Sequence, residues 1–189
     1  MLLRDFIKKI NENFADLVPA IKVFGLAQLV ERTAGTERET LPGVVELGGE
    51  VKYVGPDDVD SVRIYHRNTS IVTSRSTQQK GYGDEHADIV NTYQMLMIVY
   101  VNHKLSKLFP EELFLLLQAN IPDAIKFSPY KKILLSTGNV IFNSQTVFNQ
   151  EYIGASFKLP PEHNLFQINY NIETTFQKSC FDKCPEDLK

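Results

Sequence analysis

The segment Leu165–Lys178 alternates without a slip. Phe166, Ile168, Tyr170, Ile172 and Phe176 fall on one side, with Thr174 completing the row, while Gln167, Asn169, Asn171, Glu173, Thr175 and Gln177 fall on the other. Successive side chains of a strand point to opposite faces, so the pattern predicts a long strand with one packed face and one polar face. The polar face is built mainly from amides and hydroxyls, which hydrogen-bond readily and seldom perform chemistry alone. Such a surface suits contact with another protein or the lining of a wet passage, and Gln167, Asn169, Asn171 and Glu173 are its candidate interface residues. The plain alternative is the outer side of a sheet covered by water.

A chain of 189 residues is expected to form a single domain, since two cores would each be small. A short C-terminal tail is expected from Cys180 onward. A hydrophobic content of 43% beside 23% charged residues is that of a folded protein rather than a disordered one. The net charge of -3 and pI near 5.8 argue against a general binder of nucleic acid or anionic membrane, which needs clustered cations. Met1–Ile10 interleaves apolar residues with charges, unlike the unbroken apolar stretch of a secretory signal. The apolar runs Met95–Val101 and Leu113–Leu117 are far below the roughly 20 residues of a membrane helix. A soluble chain folded in the cytosol is expected.

Leu3, Phe6, Ile7, Ile10, Phe14, Leu17 and Val18 recur at steps of three and four, predicting an amphipathic helix over Leu3–Val18 that Pro19 stops. Strands are expected at Lys22–Arg32, at Gly43–Leu47 and Glu50–Val54 around a Gly48-Gly49 turn, and at Ser61–His66. Gly55-Pro-Asp-Asp reads as a further turn. Thr33–Pro42 and Arg67–His86 read as polar loops, the second long enough to suggest a function, with Ile71 and Val72 as a brief strand inside it. A strand beginning at Asp88 or Asn91 is apolar on both faces from Met95 to Val101 and belongs in the middle of the sheet. Phe109-Pro-Glu-Glu-Leu opens a helix to Asn120, with proline and two carboxylates suited to its first turn. Short strands are expected near Asn139–Phe142, Thr146–Phe148 and Ser156–Leu159. The fold class expected is α+β, an antiparallel sheet flanked by an N-terminal and a central helix, with long protruding loops.

Catalytic chemistry has little support. Cys180-Phe-Asp-Lys-Cys184 offers two thiolates where a structural zinc site wants four ligands, so incidental reduced cysteines are the plainer reading. His66, His86 and Asp88 flank the polar loop and would be the proton-transfer group of a small hydrolase or nuclease, without a recognisable nucleophile or paired carboxylates nearby. Gly81-Tyr-Gly83-Asp lacks the remaining residues of either phosphate-binding glycine motif. Arg63, His66, Arg67, Arg75 and Lys80 give the loop region a mild cationic bias before Asp84, Glu85 and Asp88 reverse it. Charges of this kind set register more than affinity. No enzyme, cofactor or metal is expected.

This order of elements, from an N-terminal helix ending in proline to an amide-rich strand near the end, resembles the neck and tail-completion proteins of tailed bacteriophages. The likeness is to the tail-terminator-like head–tail connectors, over roughly Leu2 to Phe181. The asparagine-rich style is similar to structural proteins of phages of gut Bacteroidetes, the crAss-like group among them. The resemblance implies a virion structural protein that assembles in the host cytoplasm into a ring of six or twelve copies. It implies contact with portal, neck and tail proteins, and genomic DNA passing through the lumen without specific binding. Arg38 and Glu39 in the first loop, and Arg67, Arg75, Lys80, Tyr82 and Asp84 in the second, are the candidate subunit-interface or lumen residues. A non-viral module recruiting a partner through the same sheet edge is the alternative reading.

Overall fold

A computed structural model describes residues 2–45, 49–56, 59–76, 88–122 and 132–177. Its frame is a seven-stranded sheet in the order β3-β2-β1-β4-β5-β7-β6. The strands are β1 (Ile21–Ala34), β2 (Glu37–Val45), β3 (Val51–Tyr53), β4 (Val62–Ser76), β5 (Asp88–Asn102), β6 (Lys132–Ile141) and β7 (His163–Gln177). All neighbouring pairs are antiparallel except β1 and β4. The α+β class expected from the sequence is therefore the one observed.

Helix α1 (Leu2–Glu12) and helix α2 (Pro110–Asn120) cover one face of the sheet. Phe6, Ile7 and Ile10 from α1 and Leu113 and Leu117 from α2 pack with Ile64, Met97, Val99, Phe166, Ile168 and Ile172. Each such side chain contributes roughly 1.5–3 kcal/mol by leaving water. Helix α3 (Ser144–Glu151) and the segment after it cover part of the second face, where Val147, Phe148 and Tyr152 meet Tyr65, Ile98, Tyr100 and Leu165. With a core on each side, β5 is buried on both faces from Met97 to Asn102 and has β4 and β7 as neighbours, as its sequence predicted.

Several expectations need correction. The first helix ends at Glu12 rather than Val18. Asn11 and Asn13 turn their amides to the carbonyls of Phe24 and Asn120, at 2.9 and 3.1 Å. The chain beyond runs in short turns closed by bonds three residues apart, such as Leu17 N–H to Phe14 C=O. Phe14 and Val18 are buried all the same, so the apolar period outlives the helix. Thr33–Pro42 is not a loop but the tip of the β1–β2 hairpin, in which Ala34 faces Glu37 across Gly35-Thr36. Gly35 has a φ of 66° at the first central position, where a type II′ turn needs glycine. Arg67–Ser76 is likewise strand, paired with β5 as far as Ser76 opposite Asp88. The rest of the expected loop, with Lys80, Tyr82, Asp84 and His86, lies outside the described residues, as do Gly81, Gly83, Cys180 and Cys184. Thr146–Phe148 is helix, and Ser156–Leu159 forms no strand. Asn143 caps that helix through a 2.9 Å bond from the Thr146 N–H to its Oδ1.

Candidate functional site

The sheet forks. β1 and β4 run together from Ile21 opposite Val62 to Ala27 opposite Arg67, and beyond that point β1 pairs with β2 and β4 with β5. A bulge at Thr69 bends β4 just past the split. Thr69 Oγ1 and Asn68 Nδ2 both donate to the Gln94 carbonyl, at 3.1 and 3.3 Å. One arm is the β1–β2 hairpin, and the other is the upper part of β4, β5, β7 and β6.

The chain leaving α3 ties the two arms together. Glu151 is fully buried and accepts hydrogen bonds from Arg67 Nη2 at 2.7 Å and from the Tyr65 hydroxyl at 3.1 Å. Burial raises its carboxyl above the ordinary value, while Arg67 and Tyr65 pull it down. Two residues on, Ile153 exchanges backbone hydrogen bonds with Thr40 of β2 at 2.8 and 3.1 Å. The Ser156 N–H reaches Glu39 Oε1 at 3.0 Å, and Arg32 holds Glu39 Oε2 at 3.0 Å. Hydrogen bonds from Ser156 chiefly, with the Arg32 guanidinium, keep the Glu39 carboxyl below its ordinary value. Glu39 and Arg67, expected as loop residues facing a neighbour, are therefore internal tie points. Arg38 is exposed on β2, and Arg75 lies near the end of β4.

Gly154 makes this tie possible. Its φ is 68°, and a Cβ there would stand 2.9 Å from the Arg38 carbonyl oxygen. Gly154→Ala is expected to destabilise the fold by about 1–3 kcal/mol, through backbone strain and displacement of β2. Urea unfolding measures it, and an unchanged midpoint would mean that the segment does not clamp the hairpin.

His66 is sealed inside the fold. It is fully buried, with Nε2 2.8 Å from Asn11 Oδ1 and Nδ1 2.8 Å from the Tyr170 hydroxyl. Asn11 donates its amide to Phe24, which leaves its oxygen to accept from His66 Nε2–H, and Tyr170 O–H donates to Nδ1. Burial lowers the imidazole's pKa to about 3, so it is neutral. His66 pairs with Met97 on β5 while Asp88 begins that strand, a separation of roughly 30 Å at the rise of an extended chain. The proposed proton-transfer group is not assembled from these two. Among the described residues no group of three or more His, Cys, Asp and Glu side chains could hold a metal ion. No described helix is long and apolar enough to cross a membrane.

The amide face of β7 is divided. Gln167 is buried beside the second core, and its amide donates to Asn169 Oδ1 at 2.7 Å. Asn169 and Glu173 are half-buried and Asn171 is exposed. By the register, Asn171 and Glu173 share a face with Ser70 and Val72 of β4, Thr92 and Gln94 of β5 and Leu134 and Ser136 of β6. Ser70 bonds Gln94 across this surface at 2.8 Å. The polar face read from β7 thus continues across four strands. β7 itself is not an edge, because β5 and β6 pair with both its sides. The terminal strands are β3 and β6, and neither makes a backbone hydrogen bond on its outer side to another described element. No protein-family model matches the chain, and no curated protein matches it.

Proposed function

We propose that the chain is the structural subunit of a ring of the kind that joins portal to tail in a tailed bacteriophage. The observation that supports this reading best is the pair of open strands at opposite ends of one sheet. An unpaired edge is a template for another chain. β3 and β6 are different surfaces, so contact between the two ends of successive copies is head-to-tail, the arrangement that generates rings when the rotation closes. The β6 stretch Ile133–Ile141 carries no Lys, Arg or Pro to discourage such pairing.

The mechanism is geometric rather than chemical. Strand edges fix neighbours in register, and the hydroxyl- and amide-bearing face around Asn171 provides a wet lining. With a net charge of -3, the chain offers passing DNA little to hold it, as a conduit requires. In this reading the partners are further copies, in sets of six or twelve, and the portal, neck and tail proteins above and below, within a virion assembled in the host cytoplasm.

Light scattering on the purified chain is expected to show a closed species of six or twelve copies. Ser136→Lys with Asn139→Lys, at exposed positions of β6, is expected to return it to monomer with an unchanged circular dichroism spectrum. A wild-type monomer or dimer would instead favour a module that recruits a different protein along β6 by strand addition.

A further inference from the structure

We propose that the groove beside β1, β3 and the segment after α3 is a socket for the Phe109–Glu112 corner of a second copy of this chain. This rests on the ring reading and names a contact that would hold successive subunits together. The groove has a volume near 510 Å³ and is lined by Arg32, Tyr53, Arg63, Phe157, Lys158 and Pro160, among others. Its walls are therefore aromatic and its rim cationic. Arg32 lies over the Tyr53 ring, 5.1 Å from its centroid, and pairs with Glu39. Arg63 pairs with Asp60 at 2.9 Å and donates to the Gly55 carbonyl at 2.7 Å. Lys158 is exposed and makes no ion pair with another described residue. Among the described residues that line the groove, every charged side chain is a cation: Arg32, Arg63 and Lys158.

The corner before α2 has the complementary chemistry. Phe109 is 66% exposed, the largest exposure of any aromatic ring among the described residues. Glu111 and Glu112 follow it and face solvent. Pro110 sets the start of the helix, and Glu112 accepts the Phe109 N–H at 2.9 Å, so ring and carboxylates are presented together. An aromatic side chain buries roughly 150–250 Å² when it enters such a site. The two surfaces cannot serve each other within one chain. α2 packs on the first face of the sheet, with Leu113 and Leu117 against Phe166 and Ile172, whereas Leu41, Val54, Tyr152 and Phe157 in the groove belong with the second. Contact between them joins one copy to the next in a head-to-tail sense, as a ring needs.

Concentration-dependent light scattering on the full chain tests this. Phe109→Ala is expected to weaken self-association about tenfold or more, as loss of an aromatic anchor does. Lys158→Glu and Glu111→Lys should each weaken it, and the two together should restore it, which a merely structural role would not produce. If the wild-type chain assembles and all four variants assemble equally well, the socket is wrong while the ring reading stands. If the wild-type chain stays monomeric, the ring reading fails by itself. The socket is then decided by titrating the chain with a peptide of residues Lys107–Leu116. Saturable binding that Lys158→Glu abolishes supports it, and no binding at millimolar peptide overturns it.

Discussion

Glu151→Ala is expected to cost the fold about 3–5 kcal/mol, the usual consequence of stripping one partner from a buried ion pair. The substitution leaves the Arg67 guanidinium, whose side chain is 19% exposed, without its 2.7 Å partner. It also removes the acceptor of the buried Tyr65 hydroxyl. Arg67→Met should be costly for the mirror-image reason, since a fully buried carboxylate then loses its cation. Replacing all three polar groups together, as Arg67→Met, Glu151→Leu and Tyr65→Phe, should recover most of the loss, because a well-packed apolar cluster avoids the cost of desolvating charges. Urea unfolding of the four proteins measures this. A loss below about 1 kcal/mol for Glu151→Ala would mean that the tie between α3 and β4 is not structural.

The second large effect is acid sensitivity centred on His66. Its folded-state pKa of about 3 lies below the ordinary 6.5, so between those values the unfolded chain binds a proton that the folded chain refuses. Stability from this group is complete above the ordinary value and falls as pH drops through the window, by about 1.4 kcal/mol per pH unit. The groups around the ring cannot relieve this. Asn11 carries no charge, and burial holds the Tyr170 hydroxyl well above its ordinary value. Glu151 works in the opposite direction, since its raised carboxyl takes up a proton more readily when folded. Glu39 and Glu162, both lowered, add to the acid loss at the lower end. Unfolding midpoints of the wild type and of His66→Gln, both measured from pH 7 to pH 5, separate the share of His66 from that of Glu151, and the variant is expected to lose the His66 part of the acid decline. Parallel profiles for the two proteins would show that the imidazole is not held neutral.

How legible each segment was in the sequence depends on how strongly it is patterned. β5 and β7 were readable because burial on one or both faces leaves a clean alternation or an apolar run, and α2 because Pro110, Glu111 and Glu112 mark its first turn. The upper half of β4 was legible only as the brief strand expected at Ile71 and Val72. Asn68-Thr-Ser-Ile-Val-Thr-Ser is exposed or half-buried throughout, with Ile71 57% and Val72 54% exposed, so no face selects apolar residues. Its strand character comes from pairing with β5. The tip of the β1–β2 hairpin was hidden for the same reason, and Pro42 in β2 disguised it further. α3 carried a readable signal in Asn143, the capping residue, together with Val147 and Glu151 one helical turn apart. Nothing in one dimension announces that Glu151, Arg67, Glu39 and Ser156 meet, because that cluster exists only once α3 lies under the fork.

The fork also bears on how the molecule bends. Where β4 and β5, or β5 and β7, lie side by side over most of their length, the ladder is stiff against splaying. The β1–β4 seam covers only Ile21–Ala27, is interrupted between Val23 and Leu26, and is the one parallel join in the sheet. Parallel pairing is slightly weaker per residue. Torsion applied across the subunit will therefore concentrate in that seam, with the link between Glu151 and Arg67 as its restoring spring. The angle between β3 and β6 is set at the seam, and through it the curvature of any assembly built from them.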